Sequence, residues 1–209
     1  MNACIQTPVA NLESTLNWYR AAKFVESTHN ETTYFTDGAV LIRVNPAPTA
    51  RPGIVLFGQD DSKAPLTASP SGVWVYREPT AAPSQPPADN SLFGTCKGVS
   101  IEAMDPVAEA SFWSGLGFEL QAGDPENGWA SYSGHGMGLS IMGPNFCPHL
   151  FYNPGLTFFN SGQNLEVIAN LREAGIELTQ ELTCFNDNGE VDNVVVRDPA
   201  GLGFFVFND

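Results

Sequence analysis

Cys147 and His149 are the side chains whose types and spacing could do chemistry most directly, since they lie two residues apart around Pro148. A thiol beside an imidazole can become a thiolate, which is a strong nucleophile. A spacing of two residues around a proline does not ensure contact, however, and an isolated cysteine more often fills a small apolar space. We therefore favour His149 at the rim of a binding pocket, near Tyr152, over nucleophilic catalysis.

The other histidines and the acidic cluster near the C-terminus have simpler interpretations. His29 lies in a polar stretch and is expected to be exposed, whereas His135 lies between two glycines and is expected in a turn. Residues 187–190 (Asp-Asn-Gly-Glu) lack the length and spacing of an EF-hand calcium loop, and Asn-Gly between two β runs is a hairpin signal. The sequence contains no glycine-rich phosphate loop, no serine nucleophile elbow and no HExxH zinc motif.

The charge balance narrows the range of partners. Among 209 residues, nine are Lys or Arg and 23 are Asp or Glu, which gives a formal net charge of −14. Nucleic acids and anionic membranes are bound by clustered cations, so we expect neither as a partner. A cationic ligand is compatible with this charge, although solubility alone would explain it.

The sequence is that expected of a cytoplasmic protein. No apolar run approaches the roughly 18 residues of a membrane span, and the first residues lack the basic region of a signal peptide. The absence of CxxC spacing and of a secretory signal is typical of cysteines that stay reduced. The four cysteines are Cys4, Cys96, Cys147 and Cys184.

Internal similarities indicate the elements that must position any site. Residues 11–24 can be laid over residues 105–118 at a constant offset of 94. A Pro/Gly turn followed by an apolar β run occurs at 69–76 and again at 198–207. Because each copy of a repeat must form one structural unit, the chain is predicted to consist of two related halves.

The first half is predicted to span residues 1–78 and to be truncated. A half-buried strand is followed by a helix whose N-cap is Asn11, but the further helix that a second complete unit would need between 58 and 70 is missing. Residues 79–97, which begin with a proline-rich stretch, are predicted to be a linker. The predicted strands are 3–9, 32–36, 39–45, 53–58 and 73–76.

The second half, residues 98–209, is predicted to contain the pattern βαβββ twice. Asp105 caps a helix over 106–116, and Gly175 ends a helix over 163–174. The fold class is therefore α+β. The predicted strands are 98–103, 128–133, 138–142, 155–160, 180–185, 192–197 and 202–207.

This order of elements resembles the vicinal oxygen chelate superfamily, which includes glyoxalase I, bleomycin-resistance proteins and extradiol dioxygenases. The resemblance covers 98–209 well and 1–78 in a degenerate form. It implies paired βαβββ modules whose curved mixed sheets enclose a U-shaped cleft. The pieces that carry it are Asn11 and Asp105 before the helices, the pairs Trp18-Tyr19 and Phe112-Trp113 within them, Gly117-Phe118, and Asp198-Pro199-Ala200-Gly201 before the last strand.

Enzymes of this superfamily hold a divalent metal in the cleft with His and Glu side chains. A metal needs several N, O or S donors at one point, and glycine and phenylalanine side chains supply none. We therefore expect no metal and no cofactor. The positions that the resemblance assigns to ligands are Cys4, Tyr76, Gly98, Gly155, Phe205 and a residue within 138–142, where only Ser140 has a suitable atom.

The alternation of side chains along a strand indicates which of them face the cleft. The carboxylate of Glu102, beside phenylalanine rings, would suit a ligand that is cationic or aromatic. The candidate ligand-binding residues are Ser100, Glu102, His149, Tyr152, Thr157, Phe159 and Phe205.

The preferred function is metal-independent binding of a small organic molecule, similar to sequestration by bleomycin-resistance proteins. One alternative is a glyoxalase-type lyase, isomerase or dioxygenase with a non-standard site. Another is a pseudo-enzyme whose cleft is filled by its own side chains. The metal positions argue against an enzyme without excluding one. We expect a monomer in which the two halves pair within the chain, although a dimer is compatible with the repeat.

Overall fold

The computed structural model describes residues 2–9, 11–59, 65–89 and 91–208. The first half forms one seven-stranded sheet in the order β2-β3-β4-β1-β5-β7-β6. Its helix starts where predicted, because Asn11 Oδ1 accepts a hydrogen bond from the Ser14 amide at 3.0 Å. The elements are β1 (Ala3–Pro8), α1 (Leu12–Ala21), β2 (Val25–His29), β3 (Thr32–Thr36), β4 (Leu41–Asn45), β5 (Gly53–Phe57), β6 (Leu66–Ala68) and β7 (Trp74–Glu78).

The second half forms an eight-stranded sheet in the order β13-β14-β15-β12-β8-β11-β10-β9. Asp105 caps its first helix by accepting from the Ala108 amide at 2.9 Å. The elements are β8 (Cys96–Glu102), α2 (Pro106–Gly115), β9 (Glu119–Asp124), a 3₁₀ turn (Pro125–Asn127), β10 (Trp129–Gly134), β11 (Met137–Met142), β12 (Gly155–Phe159), α3 (Asn164–Glu173), β13 (Leu178–Leu182), β14 (Asn193–Arg197) and β15 (Gly203–Phe207).

Each complete βαβββ unit occupies four adjacent strands of a sheet. In the second half the first strands of the two units, β8 and β12, pair antiparallel at the centre and place Thr157 opposite Gly98. In the first half the same antiparallel contact joins β1 to β5, but the unit that starts at β5 has three strands and no helix among its described residues. The α+β fold with paired βαβββ modules is therefore confirmed.

Three strands, β2, β6 and β9, were not predicted. They lie at sheet edges, where one face or both are solvated, so their sequences show no apolar alternation; every residue of β9 is exposed. Strand β8 also begins at Cys96, two residues before the predicted start. None of the helices in the described part of the chain has the length and apolarity needed to cross a bilayer.

The two halves share one apolar core between the helices and the sheets. Phe93 lies at its centre and is completely buried, although it belongs to the segment predicted as a linker. Its ring centroid is 4.9 Å from that of Phe204 in the second sheet and 5.8 Å from that of Trp18 on α1. The end of the proline-rich connection is therefore part of the core.

Each half also places its last turn on the helix of the other half. The buried carboxylate of Asp198 accepts hydrogen bonds from the hydroxyls of Tyr19 on α1 (2.9 Å) and Thr7 on β1 (2.7 Å). In the opposite direction, Glu109 on α2 accepts from the Ser71 amide (2.8 Å) and from Trp113 Nε1 (2.7 Å). Tyr19 and Trp113 are equivalent in the repeat, so the two contacts are related by the internal symmetry.

Candidate functional site

The eight-stranded sheet has one face on the core and one face away from it. Val99 and Ile101 of β8 lie in the core, so Ser100 and Glu102 lie on the opposite face. The same alternation places Thr157 of β12 there. We call this the cleft face, and its strands have the parity predicted from the sequence.

A segment of irregular backbone, residues 143–154, connects β11 to β12 and crosses the cleft face; we call it the strap. The carboxylate of Glu102 accepts from the Asn145 amide at 3.2 Å. Asn153 accepts from the Glu102 amide at 2.9 Å and donates to its carbonyl at 2.7 Å. On the other side, Gln180 accepts from the Leu150 amide at 2.7 Å. The strap is thus fixed to both units of the second half.

The floor of the cleft face is filled by side chains. Phe205 is completely buried, and its ring lies where a side chain at position 155 would be: a Cβ added to Gly155 would lie 2.3 Å from Phe205 Cε2. Phe151 of the strap covers the same ring at a centroid distance of 4.8 Å. Beside it, the hydroxyls of Ser100 and Thr157 are 2.6 Å apart and satisfy each other.

A cavity of about 460 Å³ remains between the strap and the cleft face, open to solvent on one side. Three of its aromatic residues, Trp129, Phe146 and Phe185, are 37, 56 and 50% exposed, so apolar surface is available at its mouth. Met142, Cys147, Pro148 and His149 complete the apolar wall. The aromatic residues that line it are Trp129, Phe146, Phe159, Phe185 and Phe207, and the polar ones are Asp192, Asn193 and Asn208.

The polar side of the cavity is ordered by hydrogen bonds. Asn193 is buried, donates to the Asp192 carboxylate at 2.8 Å and accepts from the Asn208 amide at 2.6 Å. No ion pair involves Asp192 in the part of the chain that the structure describes. Asp192 therefore lines a wall that is otherwise mostly apolar, and its carboxylate has no ion-pair partner among the described residues.

His149 is held in one tautomer. Its Nδ1 lies 2.8 Å from the Leu150 carbonyl oxygen, which can only accept, so Nδ1 carries the proton and Nε2 is an acceptor. Nε2 is buried and has no hydrogen-bond partner among the described residues. The ring lies between Phe151 and Phe207 at centroid distances of 5.6 and 4.9 Å. Burial lowers the pKa of His149, against the opposing effects of the Leu150 carbonyl and of Glu102.

Cys147 does not form the thiol–imidazole pair that its spacing from His149 suggested. Its Sγ contacts Met142 Sδ at 3.3 Å instead. Burial, and to a smaller extent Glu102, raise the pKa of the Cys147 thiol, which favours the unreactive protonated form. This geometry does not support nucleophilic catalysis by Cys147.

Comparison with known proteins gives structural likeness but no sequence family. No protein family model matches the chain, and no curated protein matches it. Among solved structures, the 2,3-dioxygenase LapB from Pseudomonas sp. KL28 aligns with 99% of this chain and 91% of its own, at 16% identity and a TM-score of 0.58. The Mn(II)-bound glyoxalase from Novosphingobium aromaticivorans aligns with 98% of this chain and 80% of its own, at 12% identity and a TM-score of 0.55.

A variant of 4-hydroxymandelate synthase from Streptomyces coelicolor is similar in structure to nearly the whole of this chain as well. It aligns with 97% of this chain and 90% of its own, at 14% identity and a TM-score of 0.57. All three alignments extend over both sheets. The chain has the vicinal oxygen chelate fold. It has that fold in its two-domain form, with one shortened unit in the first sheet.

The metal positions of the vicinal oxygen chelate fold do not suit a metal in this chain. The described residues contain no group of three or more His, Cys, Asp or Glu side chains that could hold a metal ion. A Cβ at Gly98 would lie 2.5 Å from the Gly138 carbonyl oxygen, so the backbone leaves no room for a ligating side chain there. At two further positions of the second half the Phe205 ring covers Gly155, and neither residue offers a donor atom; Ser140 of β11 alone could not hold a metal.

The vicinal oxygen chelate cleft brings together only part of the predicted site. His149 and Phe159 line the cavity, and Phe205 packs against the His149 ring at a centroid distance of 5.1 Å. Tyr152 lies outside it, with its ring 4.8 Å from the Arg197 guanidinium carbon. Glu102 anchors the strap and does not line the cavity, while Ser100 and Thr157 bond to each other.

Several cavity residues were missed by sequence reasoning. Trp129 and Met142 lie on the cleft-face positions of β10 and β11, which strand parity could have identified. Phe146 and Phe185 lie in connections, and their exposure at a shared mouth depends on the paths of two loops. Asp192 was predicted as the first residue of a strand; it lies immediately before β14 and lines the cavity wall.

Proposed function

We propose that this protein binds a small organic molecule in the cavity between the strap and the cleft face, without a metal. The single observation that carries the proposal is an aromatic cavity of about 460 Å³ beside metal positions that are filled by Phe205 and by backbone. Small-molecule sites are typically clefts of about 300 to 1,000 Å³ with apolar walls and few polar groups. The cavity has these properties.

An enzymatic role of the usual kind for this fold has less support. The cavity is lined by one half-buried imidazole, His149, and one carboxylate, Asp192, and neither is hydrogen-bonded to a nucleophile. The alternative of a pseudo-enzyme that binds no ligand has one observation in its favour, which is the packing of Phe205 and Phe151 over the floor of the cleft face. The open aromatic mouth favours a ligand instead, since exposed apolar surface of this kind usually marks an interaction site.

The test is a ligand screen by thermal shift on metal-free protein, because a ligand that binds only the folded state must raise the melting temperature. The cavity variant is the double change Phe146→Ala and Phe185→Ala. Both side chains are at least half exposed, so the fold should be retained. Leu165→Ala is the matched control, since Leu165 is 56% exposed on α3 and does not line the cavity.

We expect compounds that raise the melting temperature of the wild type to bind the double variant about tenfold or more weakly, through the loss of two aromatic contacts. The Leu165→Ala control should bind them as the wild type does, and a chelator should change neither result. Equal binding by the double variant, or binding that requires one metal ion per chain, would contradict the proposal.

A further inference from the structure

Negative charge is concentrated in the half that contains the cavity. Residues 98–209 carry 15 Asp or Glu and only two arginines, whereas residues 1–97 carry eight Asp or Glu and seven Lys or Arg. Solubility would not require this asymmetry. The field of the second half therefore attracts cations toward its surface.

Neither arginine of the second half neutralises the cavity. Arg172 pairs with Glu181 on the neighbouring strand β13, and Arg197 lies over the Tyr152 ring. The cavity wall contains no Lys or Arg among its described residues. The carboxylate of Asp192 at that wall thus has a hydrogen bond from Asn193 and no counter-charge.

Aromatic rings that line the same cavity as Asp192 are inclined to one another. Phe207 makes interplanar angles of 45° with Phe159 and 55° with Phe185, at centroid distances of 6.5 and 6.2 Å. Rings inclined in this way can contact one ligand from different directions, and Trp129 adds an indole to the wall of the same cavity. Aromatic faces attract cations, with tryptophan the strongest, and cages of such rings bind quaternary and methylated ammonium groups.

An alkylated ammonium suits these walls better than a primary amine. A primary ammonium group is strongly hydrated and has three N–H donors that need acceptors when it is buried. The cavity supplies few side-chain acceptors for these three donors. The Asn193 side-chain oxygen already accepts from the Asn208 amide, which leaves the Asp192 carboxylate and His149 Nε2. A group whose charge is spread over methyl carbons requires only apolar contact and a nearby anion.

We propose that the cavity is an aromatic cage for an alkylated organic ammonium ion, with Asp192 as its counter-charge. This inference rests on the proposed binding function and adds the chemical class of the ligand. The cation enters through the acidic, aromatic mouth, and its alkyl groups contact Trp129, Phe185 and Phe207.

The probes are benzyltrimethylammonium and its neutral carbon isostere, neopentylbenzene, measured by calorimetry or by quenching of tryptophan fluorescence. Their shapes are matched, so the difference in affinity reports charge. We expect the cation to bind the wild type about tenfold more tightly than the isostere. Asp192→Asn should reduce the affinity for the cation to within about threefold of that for the isostere and leave the isostere unaffected.

Two matched variants separate local from general effects. Asp187→Asn removes the same charge from the same loop at a residue that does not line the cavity, so it should leave both affinities unchanged. Phe185→Leu keeps most of the apolar area but removes the aromatic face. It should therefore reduce the affinity for the cation more than the affinity for the isostere.

The outcomes distinguish this inference from the proposal on which it rests. Equal affinity for cation and isostere, or equal losses in Asp192→Asn and Asp187→Asn, would overturn the cage while leaving small-molecule binding intact. Cavity-dependent binding of only neutral or anionic compounds would also overturn it. Failure of every compound, of any charge, to bind the cavity would overturn the proposed function itself.

Discussion

Each of the two sheets has a cleft face, which is the face turned away from the shared core. The two cleft faces occupy equivalent places in the repeat, but they are closed in different ways. In the first sheet the face is packed by Cys4, Tyr34, Leu41, Val55 and Phe57, and Ala82 of the proline-rich connection lies against it. In the second sheet the corresponding face is packed only around Phe205 and Leu182, under the strap.

The polar groups of the two cleft faces also differ, since those of the first face are paired more completely than those of the second. The first face buries Arg43, which donates to Gln6 at 3.0 Å through Nε and forms an ion pair with Glu78. Its polar network is satisfied within the protein. The second face leaves the Asp192 carboxylate without a counter-charge and His149 Nε2 without a partner among the described residues. One face is thus closed by its own packing and ion pair, whereas the other leaves polar atoms without partners among the described residues.

Among the changes that test this comparison, Phe205→Ala should have the largest effect on stability. Removing a buried ring from the floor should lower the free energy of unfolding by roughly 3 to 5 kcal/mol and open space above Gly155. Tyr76→Ala is the matched change at the equivalent position of the first sheet, where the ring is only partly buried. It should cost about half as much or less. Urea denaturation measures both, and equal losses would show that the two faces are packed alike.

Glu78→Gln tests whether the first face depends on its own ion pair. Arg43 is nearly buried and would lose its counter-charge, whereas the Glu78 side chain is about one-third exposed and water can partly compensate. We expect a loss of about 1 to 2 kcal/mol in the free energy of unfolding. Glu26→Gln breaks the exposed pair with Arg20 and should have a much smaller effect, because solvent screens exposed ion pairs. Similar losses of stability in the two variants would show that the Arg43–Glu78 pair contributes no more than an exposed ion pair.

His149 should make the second face sensitive to acid. Burial lowers its pKa below the ordinary value of 6.5, so the unfolded chain takes up the proton first. The stability that the neutral imidazole contributes is present above pH 6.5 and is lost as the pH falls through 6.5 toward the lowered pKa. His149→Gln should therefore flatten the stability profile between about pH 7 and 5. His29→Gln, at an exposed site, should leave it as in the wild type.

Glu102→Gln should have the smallest effect. The sequence suggested that Glu102 would attract a cationic ligand, but its carboxylate bonds to the Asn145 amide outside the cavity. We expect the affinity for benzyltrimethylammonium to change by less than about twofold, since the charge is partly exposed and screened. A loss as large as that in Asp192→Asn would place the binding site at the Glu102 end of the cleft.

Much of the fold could be predicted because apolar residues mark buried strands. The strands β12 and β15, which are buried on both faces, were located within one residue, whereas the exposed edge strand β9 was missed. That strand exists because β10 offers it hydrogen bonds, and its own side chains carry no periodic signal. Pairing between distant parts of the chain, not local pattern, decides such elements.

The candidate site was less predictable than the fold for a related reason. Strand parity placed Phe159 and Phe205 on the cleft face, and the missing metal donors followed from residue type alone. The cavity, however, is formed by the strap and by the loop that carries Phe185, and the course of irregular backbone is set by tertiary contacts. The hydrogen bond between Gln180 and Leu150 that fixes the strap joins two such regions.

The exchange of turns and helices couples the stability of the two halves of this chain. The buried Asp198 carboxylate accepts from Tyr19 of α1 and Thr7 of β1, and Glu109 accepts from the Ser71 amide of the first half. A half produced alone would expose an apolar helix face, and these carboxylates would lose their hydrogen-bond donors from the other half. We therefore expect the two halves to unfold together as one cooperative unit, although each has the outline of a domain.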